Sequence, residues 1–285
     1  MIFSIVTPCF NAERYIGETI QSILVQTALQ SGRVALEYIV VDGQSQDRTV
    51  EIARAMMATF AHGTVKIISE PDKGMYDALA KGLQGTTGDI CAYLNAGDLY
   101  SPHAFDVIAD VLQTQSLQWF TGLQIVYNEA GQIVSAHRPF RYRSRLFAAG
   151  LYDNVALNHL QQESTFWHRE LHRTLDFARL AQFKYAGDYF LWHQFARQTE
   201  LKIIQAHLGG FRVHRGQLSE HRQAYHDEIR AIARQPHIAD RLLAFSDKVM
   251  SHLPGRLWGQ ANRDAIVSFD HEAQAWRDGV NRSPM

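Results

Sequence analysis

Residues 91–100 read CAYLNAGDLY, a short apolar run that leads into the polar segment Asn95-Ala96-Gly97-Asp98. Such a run is typical of a strand that is buried on both faces of a parallel sheet. Polar residues at the end of this strand indicate a ligand site, because open α/β sheets bind ligands at the carboxyl ends of their strands. The stretch therefore predicts a fold class and the place where function resides.

Three further apolar runs precede this strand, and helical patterns separate them. The predicted strands are IFSIVTP, LEYIVVDG and VKIISEP, and apolar residues recur at helical spacing after Asn11, after Asp47 and in KGMYDALAKGLQG. This alternation predicts an α/β fold in which helices flank a mostly parallel, buried sheet. The polar ends of all four strands are expected to share one crevice.

Composition excludes several classes of protein. The chain of 285 residues is 46% hydrophobic and carries a formal net charge of -1, which gives no basic footprint for nucleic acid. Cys9 and Cys91 lie in apolar strands, as reduced thiols of a cytoplasmic protein would. No apolar run approaches the ~18 residues that would cross a bilayer.

Neither a P-loop nor a GxGxxG motif follows the first strand, so a bound diphosphate would need a cation, which Asp98 is placed to hold.

Four segments together resemble the family 2 glycosyltransferases of the GT-A fold: SIVTPCFNAERYIGETIQSILVQT, EYIVVDGQSQDRTVEI, SEPDKGMYDALAKGLQGTTGDICAYLNAGD and YAGDYFLW. The resemblance implies a metal-dependent, inverting enzyme that moves a sugar from a nucleotide diphosphate donor to a glycan or lipid-linked acceptor in surface polysaccharide synthesis. Its cofactor would be Mn²⁺ or Mg²⁺. It implies a GT-A domain over 1–220, with a nucleotide-sugar-binding half (1–112) and an acceptor and catalytic half (113–220), and a helical C-terminal extension over 221–285.

The resemblance also assigns roles on the donor side. Asp98 would bind the metal that bridges to the diphosphate, although it could instead cap a helix or close a turn. His214 would reach the metal or diphosphate from a late loop, with Arg215 beside it, unless both are plain surface residues. The other residues expected near the donor are Thr7, Pro8, Phe10, Asn11, Asp42, Asp72, Lys73, Asn95, Ala96 and Gly97.

Three of these donor assignments have structural alternatives. Asp42 would accept a hydrogen bond from the base, but an Asp-Gly pair is also a common turn former. Phe10 would stack on the base or belong to the core, and Lys73 would pair with phosphate or be a solvated surface residue. Gly97 departs from family motifs with two successive carboxylates, which leaves fewer protein charges for the metal.

On the acceptor side, the resemblance makes Asp188 the base that removes the proton of the acceptor hydroxyl. Asp188 could alternatively be only the N-cap of the following helix. Glu163 is the second candidate base, and Gln162 would bind sugar hydroxyls. Arg141 and Arg143 belong to a basic run that is either a solvated face or a site for an anionic acceptor.

Two other functions and one surface property stay open. A nucleotidyltransferase would release pyrophosphate rather than nucleoside diphosphate, and it normally has a glycine-rich basic first loop, which is missing here. A non-catalytic sugar-binding protein on the same fold would not turn over any donor. The C-terminal stretch ADRLLAFSDKVMSHLPGRLWGQ mixes apolar and basic residues, so it could lie on an anionic membrane or pack against the main domain. The oligomeric state is not apparent.

Overall fold

The predicted alternation of strands and helices is present in the computed structural model, which describes residues 1–214, 216–217 and 220–279. The strands of this part of the chain are β1 (Ile2–Cys9), β2 (Ala35–Asp42), β3 (Gly63–Ser69), β4 (Ile90–Tyr93), β5 (Leu99–Tyr100), β6 (Trp119–Thr121), β7 (Gln124–Tyr127), β8 (Ile133–His137), β9 (Thr165–His168), β10 (Lys202–Ile204), β11 (Gly209–Arg212), β12 (Ile266–Asp270) and β13 (Ala275–Asp278). The helices are α1 (Ile16–Leu24), α2 (Thr27–Gln30), α3 (Thr49–Met57), α4 (Met75–Gln84), α5 (Ala104–Thr114), α6 (Ser144–Ala148), α7 (Phe177–Leu180), α8 (Gly187–Phe195), α9 (Arg222–Ile232), α10 (Ile238–Met250) and α11 (Gly255–Ala261). Short 3₁₀ segments, Gln162–Ser164 and Arg169–Thr174, flank β9.

The large sheet has the strand order β13-β12-β10-β6-β9-β4-β1-β2-β3. Strands β4, β1, β2 and β3 are parallel, as predicted, whereas β9 is antiparallel to both β4 and β6. Helix α4 packs against β1 and β2. The predicted α/β class, a large sheet flanked by helices, is confirmed. The prediction of burial is wrong for β3, which forms the edge of the sheet and exposes residues 63–66.

A smaller sheet with the order β5-β11-β7-β8 lies beside the predicted crevice. Residues 119–135 form three strands, of which β6 joins the large sheet while the hairpin β7–β8 joins the small one. The chain changes sheets at Gly122, where a Cβ atom would come within 2.7 Å of the Ala206 carbonyl oxygen. The small sheet brings β11 against β5, directly after the Asn95–Asp98 segment.

Residues 221–279 add more than the predicted helices. Helices α9, α10 and α11 are followed by the hairpin β12–β13, and β12 pairs in parallel with β10 of the large sheet. The hairpin was missed because its apolar run, Ile266 to Phe269, is too short for its periodicity to separate a strand from a helix.

The arginines of the basic run contact the C-terminal part of the chain. Arg143 forms two hydrogen bonds to the carboxylate of Asp247, at 2.6 and 2.8 Å. Arg145 pairs with Asp240, and the guanidinium of Arg138 lies 3.9 Å from the ring centroid of Trp258. Arg141 donates from its backbone to Asn262 and from its side chain to the Ala261 carbonyl oxygen. Arg141 and Arg143 thus have partners within the chain, so a site for an anionic acceptor would have to compete with these contacts.

We expect Arg143→Ala to lower the free energy of unfolding by about 2 kcal/mol, because it leaves the carboxylate of Asp247, which is 1% exposed, without its cation. The value is discounted from that of a fully buried pair, since the Arg143 side chain is itself 30% exposed. Urea unfolding measures the change. Arg173→Ala is the matched control: its pair with Glu170 is exposed, so a loss below about 0.5 kcal/mol is expected. Equal losses in both variants would contradict this account.

Candidate active site

An open cavity of about 760 Å³ lies where β1 and β4 end. Its lining comes from the loop after β1, from Ala96, from the turn between β7 and β8 and from the chain after β11, and it includes Phe10, Asn11, Arg14, Tyr15, Ala96, Glu129 and His214. Arg14 and Tyr15 both contact the carboxylate of Glu129, at 2.8 and 2.9 Å, and so join two walls of the cavity. Arg14, Tyr15 and Glu129 were not singled out from the sequence, since only the fold brings residue 129 to the first loop.

The first loop exposes an aromatic ring at this cavity. Phe10 is 60% exposed, so it is not the core residue that the sequence left as an alternative. Asn11 adopts a positive φ of 46°, donates its backbone N–H to Ser45 Oγ and accepts from the backbone N–H of Gln46. Helix α1 begins only at Ile16. The Asn11 side chain therefore ties the first loop to the loop after β2.

The end of β2 is held by a buried carboxylate. Asp42 is fully buried and accepts hydrogen bonds from the backbone N–H of Ser45 at 3.1 Å and from Ser69 Oγ at 2.7 Å. Asp72 lies against Gly43, where a Cβ atom would come within 2.5 Å of Asp72 Oδ2. The Asp42 carboxylate thus has the turn role that the sequence allowed, and it fixes the ends of β2 and β3 together.

The remaining donor-side residues fall into two groups. Thr7 and Pro8 are buried in β1, where Thr7 Oγ1 accepts from the Tyr38 hydroxyl at 3.0 Å, so neither side chain lines the cavity. Lys73 is exposed and makes no ion pair among the described residues. Its backbone N–H donates to Asp77 at the start of α4.

Backbone geometry explains the glycine that departs from the family motif. Gly97 has a φ of 123°, and its N–H donates to Thr19 Oγ1 at 2.9 Å. The same hydroxyl donates to the Asp98 carbonyl oxygen at 2.9 Å, so α1 fixes this segment on both sides of residue 97. A carboxylate at position 97 would require a backbone conformation that residues other than glycine rarely adopt. His214 comes close here, with Nε2 3.6 Å from where a Gly97 Cβ would lie, and its ring stacks on Tyr15.

Asp98 and Glu163 form a buried pair of carboxyl groups behind the cavity. Asp98 is 4% exposed and Glu163 6% exposed, and their side chains are within hydrogen-bond reach of each other. Burial raises the pKa of Asp98 to about 7. A hydrogen bond from the Arg212 backbone N–H and the positive charge of that arginine act in the opposite direction and lower the pKa. Burial, and then the charge of Asp98, raise the pKa of Glu163 well above its ordinary value. The pair therefore favours a shared proton or a bound cation.

The donor atoms around Asp98 fit a hard divalent cation held by few protein groups. The Asn95 amide nitrogen donates to Gln162 Oε1 at 3.1 Å, but Asn95 Oδ1 is buried without a partner among the described residues. Carboxylate and amide oxygens suit Mn²⁺ and Mg²⁺. No group of three or more His, Cys, Asp or Glu side chains that could enclose a metal occurs in that part of the chain. Gln162 is buried and donates to the Tyr93 carbonyl oxygen, so its amide is already engaged.

Asp188 lies in the first turn of α8, after the N-cap Ala186, and is not itself the N-cap. Its carboxylate accepts from the Tyr189 N–H at 2.7 Å and from the hydroxyls of Tyr76 and Tyr225 at 3.3 and 3.5 Å. Burial away from water raises the pKa of Asp188 to about 6, although these hydrogen bonds lower it. The Asp188 charge also helps to raise the pKa of Glu163, so the two carboxyl groups interact electrostatically.

A further residue, Glu228 of α9, supports this site from outside the family-like motifs. Its carboxylate accepts the backbone N–H groups of Lys184, Tyr185 and Ala186, at 3.0, 3.0 and 2.7 Å. These N–H groups precede α8, where a helix leaves its donors unpaired and favours negative charge. Nothing local in the sequence marks Glu228, because its partners lie about 42–44 residues away.

An α/β sheet with acids clustered beside an open cavity at its strand ends is the arrangement of a ligand-binding, catalytic domain. A family model described as glycosyl transferase family 2 matches residues 4–175, and the chain belongs to this family. Over 117 residues, it is 28% identical to an uncharacterized glycosyltransferase of Nostoc sp.; the matched stretch covers 41% of this chain and 34% of the relative. Over 174 residues, it is 26% identical to the glycosyltransferase AglE of Haloferax volcanii; this matched stretch covers 61% of this chain and 50% of the relative. The chain thus spans between a third and a half of the length of these relatives.

Solved structures confirm the GT-A fold. Staphylococcus aureus TarS in complex with UDP-GlcNAc superposes with a TM-score of 0.63 at 14% identity, over 93% of this chain and 80% of that one. Glucosyl-3-phosphoglycerate synthase of Mycobacterium tuberculosis, in complex with Mn²⁺, UDP and phosphoglyceric acid, gives a TM-score of 0.53 at 22% identity, over 89% and 80% of the two chains. Among the described residues, no helix combines the length and the apolar character needed to cross a membrane.

Proposed function

We propose that this protein is a metal-dependent, inverting glycosyltransferase that moves a sugar from a nucleotide diphosphate donor to a hydroxyl of a glycan or lipid-linked saccharide. The observation that carries the proposal is the buried pair Asp98 and Glu163, which interacts electrostatically with Asp188. Asp98 lies close in the chain to Ala96, a residue that lines the open cavity with its exposed aromatic ring. The complexes of similar folds with UDP-GlcNAc and with UDP and Mn²⁺ support a donor and a metal of this kind. No observation favours nucleotidyl transfer or a non-catalytic role.

In this proposal each group has a separate task. Asp188 takes the proton of the acceptor hydroxyl as its oxygen attacks the anomeric carbon, and the bond from that carbon to the diphosphate breaks. Tyr76 and Tyr225 orient the Asp188 carboxylate. Asp98 and Asn95 would hold Mn²⁺ or Mg²⁺, with His214 close by, and the cation would offset charge on the leaving diphosphate.

The donor would occupy the cavity between the first loop and His214. The exposed ring of Phe10 offers a stacking surface for the base, and base–aromatic stacking contributes about 1–3 kcal/mol in nucleic-acid complexes. Arg14, which lines the cavity, and the exposed Lys73 are cations within the same half of the fold. The Asp42 carboxylate keeps the loop that would face the base in place.

The test is to incubate the full chain with a panel of nucleotide sugars and Mn²⁺ and to measure what is released. Nucleoside diphosphate supports the proposal, pyrophosphate identifies a nucleotidyltransferase, and no turnover with any donor and acceptor identifies a binding protein. Phe10→Ala should weaken nucleotide binding at least about fivefold. Phe245→Ala on α10, whose ring is exposed to a similar degree (68%), should leave it unchanged.

Glu228→Gln is expected to lower kcat about tenfold and to leave the KM for the donor nearly unchanged. The amide keeps the size of the side chain but presents an NH₂ group to backbone donors, so a charge-assisted clamp on the start of α8 is lost. Steady-state kinetics at saturating donor measure the effect. Asp227→Asn, its exposed neighbour on α9, is the matched control and should keep full activity. A changed donor KM with normal kcat would contradict a role in positioning Asp188.

A further inference from the structure

Helix α10 has two faces of opposite character. Its two acids, Asp240 and Asp247, are buried on the inner side together with Ala244. Asp247 pairs with Arg143, and Asp240 pairs with Arg145 and Arg234. The inner face therefore has its negative charge neutralised within the protein, and no acid of the helix is left for the outer face.

The outer face carries large apolar side chains at intervals of four, three and four residues, which on a helix form one continuous stripe. The members of this α10 apolar stripe are Ile238, Leu242, Phe245 and Val249, exposed by 78%, 64%, 68% and 51%. Scattered single apolar residues are normal on a protein surface, but an aligned set of four is typical of a contact surface. Val155, exposed by 67%, extends the surface, because its carbonyl oxygen accepts from Lys248 Nζ at 3.3 Å.

The charged side chains of α10 that lie outside its buried face are both positive. Arg241 and Lys248 are exposed, and neither forms an ion pair with the part of the chain that the structure describes. At 100° per residue both lie on the same flank of the stripe. An apolar strip bordered by cations is the pattern of helices that lie in the interface of an anionic bilayer.

We propose that α10 docks this protein on an anionic lipid surface, with the α10 apolar stripe in the headgroup region and Arg241 and Lys248 on lipid phosphates. The proposal does not rest on the transfer reaction. A second copy of the chain is the less suitable occupant, because a two-fold contact would bring the same patch from each copy together. It would place Arg241 and Lys248 of both copies in one interface that has no acid from α10 to balance them.

The test uses the full chain and sedimentation with vesicles of phosphatidylcholine, with and without phosphatidylglycerol. We expect binding to the anionic vesicles that weakens as salt is added, and weak binding to phosphatidylcholine alone. Phe245→Ser should lower the partition constant at least about tenfold. Combined Arg241→Gln and Lys248→Gln should lower it roughly 25-fold, at about fivefold per cation.

Two substitutions of exposed residues away from α10 serve as controls for vesicle binding. Val134→Ser on β8, which is 59% exposed, and Lys66→Gln on β3 should leave vesicle binding unchanged. The proposal is overturned if neither kind of vesicle binds the chain, or if the α10 variants bind as the unsubstituted chain does. A dimer in analytical ultracentrifugation that Phe245→Ser dissociates would assign the stripe to a second copy and would also overturn it.

Discussion

Asp188→Asn is expected to lower kcat by about 10²- to 10⁴-fold while the affinity for nucleotide stays nearly unchanged. The substitution keeps the shape of the side chain and an oxygen that can accept from the Tyr189 N–H, so α8 should form as before. It removes the only property that proton removal requires, a carboxylate that can take up a proton. Isothermal titration with nucleoside diphosphate and a transfer assay separate the two effects.

The pH profile adds a second readout. Because the pKa of Asp188 is raised to about 6, its carboxylate is protonated and inactive below that value, and activity should rise as the pH passes through about 6. This limb should vanish from the residual activity of the variant. Asp176→Asn is the matched control, since Asp176 is a helix-capping aspartate that accepts from the Arg179 N–H at the start of α7. An Asp188→Asn protein with normal turnover would remove Asp188 from the mechanism and leave Glu163 as the base.

The sequence predicted well whatever depends on local patterns. The bounds of β1, β2 and β4 follow from apolar runs, and the crevice follows from the polar residues at their ends. Gly97 shows the limit of prediction from local patterns. The sequence revealed a missing carboxylate, but only the backbone conformation and the two contacts with Thr19 explain why glycine is needed there.

What could not be predicted depends on partners that are distant in the chain. Arg143 looked solvated or ligand-binding because its acid, Asp247, lies 104 residues away. Glu228 was invisible for the same reason, since its three partners are backbone N–H groups, which every sequence has. The exposure of the α10 apolar stripe could not be predicted from the sequence either. Periodicity alone would have assigned the apolar side of this helix to the core, but both acids lie on the inner side and the apolar residues lie on the outer side.

Asp98→Asn is expected to lower kcat/KM about 10³-fold and to abolish the dependence of nucleotide binding on Mn²⁺. The amide retains an oxygen that can accept from the Arg212 N–H but loses the charge that a divalent cation requires. A chelator should inactivate the unsubstituted protein, and added Mn²⁺ should restore it, whereas the variant should not respond to either. Titration of nucleoside diphosphate with and without Mn²⁺ measures the same loss without an activity assay.

Stability separates a lost cation site from a damaged fold. A buried carboxylate whose pKa is raised to about 7 binds its proton more tightly in the folded chain than in the unfolded one, so its contribution to stability falls as the pH rises from about 4 through 7. Asn cannot ionise, and Asp98→Asn should therefore be at least as stable as the unsubstituted metal-free chain at pH values above about 7. Asp89→Asn, at the opposite end of β4, should change neither Mn²⁺ response nor turnover, because Asp89 is exposed and accepts from the Ile2 N–H. Normal Mn²⁺-dependent binding in Asp98→Asn would show that other residues hold the cation.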